Sequence, residues 1–138
     1  MNTLILTVGL PRSGKSRWAM RTGFPVVNPD SIRLALHGQA FLASAEPIVW
    51  ATAHLMVAAL FIAGHTTVIL DATNLTEHRR NEWKSGDWDL SYKVFQTGKE
   101  TCVARAREDG RDYLVPVIER MSKFIQWPPA SQHWELEL

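Results

Sequence analysis

The chain reads as an α/β protein with a parallel sheet covered by helices, and three observations carry that reading. Apolar runs such as Leu4-Ile5-Leu6-Thr7-Val8 and Thr66-Thr67-Val68-Ile69-Leu70 lack the in-out alternation of a sheet with one wet face, so they call for cover on both sides. Segments with helix start and stop signals lie between these runs, and a strand that returns in the same direction needs such a crossover. The first run leads directly into Gly9-Leu10-Pro11-Arg12-Ser13-Gly14-Lys15-Ser16. A G-x-x-x-x-G-K-S loop between a strand and a helix cradles phosphate.

The elements follow in order. The first strand covers about residues 2 to 8, and a helix from Lys15 to about Thr22 is ended by Gly23 and Pro25. Phe24 to Asn28 gives a brief strand, and Pro29-Asp30 opens a helix that runs through Leu36 and stops at Gly38. Ser44 is positioned to cap a long helix carrying Ile48 to Ile62, whose apolar residues occupy nearly its full circumference. That helix is expected to be deeply buried, or half-buried at a subunit contact. Thr66 to Leu70 is a further strand, ending at Asp71. Asn74 with Glu77 reads as a capping box for a helix to about Ser85, and Thr97 with Glu100 as one for the helix carrying Cys102 and Val103. Between these lies the strand Leu90 to Phe95. A charged stretch from Arg105 to Asp112 surrounds Gly110, Pro116 suits the first turn of a last helix, and Trp127-Pro128-Pro129 stops it.

The 138 residues suit one domain, 1–138, and 46% hydrophobic against 21% charged residues, with no repeat, excludes a disordered chain. The formal net charge of +1 does not itself indicate nucleic acid, yet Arg12, Lys15, Arg17 and Arg21 fall in a stretch without an acid. A single cysteine, Cys102, excludes an intramolecular disulfide and a multi-cysteine zinc site. Leu4 to Val8 is too short for a signal core, so a cytoplasmic protein is expected. Pro47 to Gly64 reads as a core helix rather than a membrane span, and no membrane partner is expected. The same helix, 47–63, offers a surface for a homo-oligomer.

In parallel sheets ligands sit beyond the carboxyl ends of the strands, where Gly9, Asn28 to Asp30, Asp71 to Asn74 and Thr97 fall. In the loop itself, Gly9 to Ser16 present backbone N–H groups, Lys15 adds a positive charge and the Ser16 hydroxyl can ligate Mg²⁺. Asp30 is either a helix cap or a base that accepts a proton from an attacking hydroxyl. Arg33, one turn on, either holds an anionic group of the acceptor or forms a plain surface ion pair. Asp71, ending a strand, suits Mg²⁺ or its waters. Arg79 and Arg80 are expected to face solvent, with Arg80 or Lys84 able to extend an anion track. Arg105, Arg107 and Arg111 beside Gly110 form either a lid with a charge-neutralising arginine or a solvated charged loop. Trp18 is expected in packing, with base stacking the alternative.

These residues resemble the bacteriophage-type polynucleotide 5′-hydroxyl kinases, within the wider group of small P-loop kinases. The resemblance runs from Leu4 to about Lys123 and rests on Leu4 to Ala19, Asn28-Pro29-Asp30-Ser31-Ile32-Arg33, Thr73-Asn74-Leu75 with Arg79-Arg80, Lys93-Val94-Phe95, and Val115-Pro116. It implies the P-loop kinase three-layer fold, a parallel sheet of about four strands flanked by helices, plus a short lid. It also implies transfer of the ATP γ-phosphoryl group to the 5′-hydroxyl end of DNA or RNA. Gly9 to Ser16 would bind ATP, Ser16 and Asp71 Mg²⁺, and Arg105, Arg107 or Arg111 would supply the lid cation. Asp30 would be the general base, Arg33 would hold the acceptor phosphate, and Asp71, Thr73 and Asn74 would complete the substrate side. The chain departs from the family pattern at Ala72, where the family has an acid, and at Asp109, where it has the lid arginine. A small-molecule kinase on the same scaffold, or a nucleotide-binding interaction module without transfer, are the competing expectations.

Overall fold

The structure, a computed structural model, describes residues 1–38, 41–129 and the backbone of 134–137. Five parallel strands form one sheet in the order β2-β3-β1-β4-β5: β1 (Thr3–Gly9), β2 (Val26–Val27), β3 (Thr67–Leu70), β4 (Asp89–Phe95) and β5 (Trp134–Glu137). The helices are α1 (Lys15–Arg21), α2 (Pro29–His37), α3 (Glu46–Ile62), α4 (Glu77–Asn81), α5 (Lys99–Glu108) and α6 (Val115–Met121). The α/β expectation holds, with β5 as an edge strand beyond the four read from sequence. β1 is central, paired from Thr3↔Thr67 to Leu6↔Leu70 on one side and from Thr3↔Asp89 to Gly9↔Phe95 on the other. This register brings the ends of β1, β3 and β4 to one edge.

Leu4, Leu6 and Val8 of β1 are wholly buried, with Val68, Ile69 and Leu70 of β3 and Val94 of β4. Cover on both faces removes nearly all their apolar area from water, about 25 cal/mol per Å². Helix α3 departs from the deeply buried alternative. The stripe Val49, Ala53, Val57 and Phe61, at four-residue spacing, is buried in the core with Trp50 and Leu60 partly buried beside it, while Ile48, Leu55 and Ile62 stay exposed, Ile62 at 86%. A helix touching the sheet along one side buries one stripe, however apolar its remaining surface. By length and composition alone, Ala43–Ile62 could also cross a membrane.

Three capping assignments need correction. Ser44 lies in a 3-10 turn, and Ala45 precedes α3 without a side-chain cap. Thr76, not Asn74, caps α4, its hydroxyl accepting from the Arg79 N–H, and α4 ends at Asn81 rather than near Ser85. Gly98, not Thr97, precedes α5. In the last two cases the displaced polar residue is engaged elsewhere, Asn74 by β1 and Thr97 by the loop after it.

Candidate functional site

The loop Gly9 to Ser16 wraps the carboxyl end of β1. Gly9 has no room for a side chain: a Cβ there would lie 2.7 Å from Ser13 Oγ and 2.9 Å from both Phe95 Cβ and the Phe95 carbonyl. Gly14 takes φ 106°, where a side chain would be strained, and it starts α1. Arg12 also has positive φ, 67°. The chain thus turns tightly around the end of β1.

Lys15 is buried in this turn, its Nζ donating to the Leu10 carbonyl at 2.6 Å and lying 3.5 Å from Ser13 Oγ. Burial pushes its pKa down to about 8, against an opposing pull from Asp71. The amine is a charge held at the loop by a neutral carbonyl, which a phosphate oxygen is well suited to replace.

Asp71, directly after β3, is the node of the site. Its Oδ2 accepts from Ser16 Oγ at 2.6 Å and from Asn28 Nδ2 at 3.1 Å. Thr7 of β1 supports the same loop: its hydroxyl reaches the Ala72 carbonyl at 2.7 Å and accepts from the Ala72 N–H at 3.0 Å. Asn74, with φ 43°, donates through Nδ2 to the Thr7 carbonyl at 2.8 Å, and the Thr73 carbonyl accepts from the Gly9 N–H at 3.0 Å. Asn74 therefore positions the segment from Asp71 to Asn74 instead of capping α4. Arg80 is buried and donates to the Asn74 carbonyl at 2.8 Å. It braces this loop from within, which corrects its expected place at the surface or along an anion track.

At the start of α2, Asn28 decides the role of Asp30. Its Oδ1 accepts from the N–H groups of Asp30 and Ser31, at 2.8 and 3.3 Å, and so caps α2. The Asp30 carboxylate is thereby left for other work: its side chain is 77% exposed and accepts from Arg33 Nη1 at 2.7 Å. Arg33 also donates two parallel bonds to Glu46, Nε to Oε2 at 2.9 Å and Nη2 to Oε1 at 2.7 Å. These bonds raise the Arg33 pKa and lower that of Glu46. Glu46 carries no motif; its place at the start of α3, thirteen residues after Arg33, becomes meaningful only in the fold.

The main cavity, about 580 Å³, lies between the loop, α1 and α5. Arg12 to Ser16, Trp18, Phe95, Thr97 and Arg105 are among the residues that line it. Trp18 stands edge-on to Phe95 at 6.0 Å with the Lys93 ammonium over its ring at 5.2 Å. Of the three lid candidates, Arg105 reaches the cavity and donates to the Arg12 carbonyl at 3.1 Å. Arg107 and Arg111 do not line it. Arg105 and Arg107 both belong to α5, so the first half of the charged stretch is helix. Asp109, standing where an arginine was expected, forms an ion pair with Arg12. Thr97 Oγ1 donates to the Ser13 carbonyl at 3.2 Å, which ties the end of β4 to the loop.

Parallel strands, a glycine-bounded loop with Lys15 and Ser16, and a carboxylate node at the next strand end define a nucleotide-binding P-loop protein with a kinase-like fold. The chain belongs to the AAA domain family, whose family model matches residues 4–118. Among solved structures it resembles a chain of the Pnkp1/Rnl/Hen1 complex, with 32% identity, TM-score 0.66, and coverage of 75% of this chain and 38% of that one. A chain of the Pnkp1/Rnl/Hen1 RNA repair complex gives 24% identity and TM-score 0.69, covering 96% and 50%. A gluconokinase from Sinorhizobium meliloti 1021 gives 16% identity and TM-score 0.62, covering 97% and 81%. The chain thus spans half or less of the two complex subunits. The two less identical likenesses concern the fold alone.

Proposed function

We propose that the protein is an ATP- and Mg²⁺-dependent kinase acting on the 5′-hydroxyl ends of polynucleotides. The observation that carries this reading is the Asp30 carboxylate, relieved of capping by Asn28 and held at 2.7 Å by Arg33, at the same sheet edge as the phosphate loop. In the reaction the acceptor hydroxyl gives its proton to Asp30 as its oxygen bonds to the γ-phosphorus. The bond between that phosphorus and the β–γ bridging oxygen breaks, and ADP leaves. Lys15 and the loop N–H groups neutralise the transferring phosphates, aided by Arg105 from α5. Ser16 and Asp71 offer the oxygen donors that suit Mg²⁺ and would hold it, directly or through its waters; the ion would offset phosphate charge there. Arg33 would hold the acceptor's nearest phosphate. The resemblance in sequence supports a nucleic-acid acceptor.

A second reading has its own observation. Glu46 neutralises much of Arg33, an arrangement that also suits an uncharged hydroxyl compound. Labelled ATP with 5′-hydroxyl DNA and RNA, a nucleoside 3′-phosphate, and a panel of sugars and nucleosides separates the two. Transfer to nucleic acid is expected. Transfer confined to small hydroxyl compounds would establish the second reading instead.

A further inference from the structure

Past Arg33 the structure continues a cationic and aromatic surface away from the reacting edge. Trp50, half-buried on α3, carries Arg33 on its ring with Cζ 5.8 Å from the centroid, and Arg79 at 4.4 Å. Arg79 then lines a second cavity of about 310 Å³ together with Thr73, Leu75, Arg120, Met121 and Phe124. The Thr73 carbonyl accepts from Gly9, which sets the cavity beside the phosphate loop, and Arg79 shares the Trp50 ring with Arg33, the partner of Asp30.

The chemistry of this cavity is specific. Leu75 and Met121 give it an apolar wall, Phe124 stands 62% exposed at it, and none of the described residues lining it is acidic. Glu82 lies near Arg79 at 3.6 Å, a long and half-exposed contact of small worth. A cation over an indole uses its charge and leaves its N–H donors for a phosphate. An exposed ring beside two guanidiniums is what a base with its phosphate requires, and stacking serves every base. The volume suits one base rather than a duplex.

We infer that this cavity takes the nucleotide following the acceptor nucleotide of a single-stranded polynucleotide, its base on Phe124 and its phosphate between Arg79 and Arg120. The inference rests on the 5′-hydroxyl kinase reading and adds why a polymer, and not only a nucleoside 3′-phosphate, is the substrate. Base stacking and the lost phosphate contacts each correspond to roughly tenfold in affinity.

The test compares kcat/KM for a 5′-hydroxyl pentanucleotide with that for a nucleoside 3′-phosphate, in wild type, Phe124→Ala and the pair Arg79→Gln with Arg120→Gln. Circular dichroism confirms folding, and a labelled pentanucleotide reports binding by fluorescence anisotropy across salt. Wild type should prefer the pentanucleotide, and each variant should cut that preference about tenfold. The arginine pair should also flatten the salt slope by about 0.7 for each phosphate contact removed. Variants that leave preference and slope unchanged, or that weaken both acceptors equally, overturn the inference. If wild type phosphorylates no nucleic acid, the kinase reading fails and binding decides the site alone: anisotropy lost in the variants upholds it, and no binding by wild type overturns it.

Discussion

Raising pH through 8 should weaken nucleotide binding while it strengthens the fold, because both respond to the proton on Lys15. The amine is buried against the Leu10 carbonyl with its pKa at about 8, below the ordinary 10.5. Phosphate oxygens favour the charged amine, so binding takes up the missing proton. With affinity proportional to the charged fraction, about 90% at pH 7 and 9% at pH 9, binding falls roughly tenfold over that interval. The nucleotide's terminal phosphate ionises near pH 6 and does not contribute there. Calorimetry of an ATP analogue in buffers of different ionisation enthalpy measures the uptake, expected near half a proton at pH 8. Lys15→Arg, charged throughout, should flatten the profile. For stability the sign reverses. Between about 8 and 10.5 the unfolded chain binds more protons than the folded one, so the cost of burying a charged Lys15 is full below 8 and is relieved as pH rises through that window. A shift of this size corresponds to about 3 kcal/mol, and Lys15→Met should therefore raise Tm while abolishing nucleotide binding. Affinity that is flat between pH 7 and 9 with no proton uptake would refute the argument.

Asp30→Asn should keep ATP binding and lose transfer by about 10²- to 10⁴-fold, as for a removed general base; single-turnover kinetics with saturating nucleotide tests this, and an unimpaired rate would return Asp30 to a surface role. Asn28→Ala removes two bonds to the start of α2 and one to Asp71, so thermal unfolding should shift down by about 4 °C for about 1 kcal/mol. A Tm within a degree of wild type would mean that another group takes over the cap. Gly9→Ala sets a methyl group against the Phe95 backbone, which the pairing of β1 with β4 holds in place. The loop must move instead, and nucleotide affinity measured by titration should drop at least about tenfold, the lower range for overpacking.

Four of the five strands, the order of helices and the phosphate loop were legible because their signals are local: apolar runs of strand length, glycines at turns, and a motif whose spacing is itself the geometry. Capping was legible only as a neighbourhood. Asn28 and Asp30, Asn74 and Thr76, Thr97 and Gly98 stand within two residues of one another, and the winner depends on which loop claims the other. Thr7 needs β3 beside β1, and Asn74 needs Thr7 in turn. The one-sided burial of α3 was hidden because an apolar circumference does not say which side meets the sheet. Glu46 and the Arg12–Asp109 pair join residues far apart in sequence, and no spacing announces them. Thr7 had a faint signal, being the single polar residue in an apolar run.

The side chain of Asn28 has two ends, and they face the two halves of the proposed reaction. Its oxygen fixes the first turn that carries Asp30, and its nitrogen grips the Asp71 carboxylate that also holds Ser16. A cation drawn to Ser16 and Asp71 competes directly for the oxygen that anchors this amide. On the proposed reading, filling the nucleotide half would re-aim Asp30 through this one residue. The expected kinetic mark is an order of addition, with nucleotide and metal before acceptor, and Asn28→Ala should erase it.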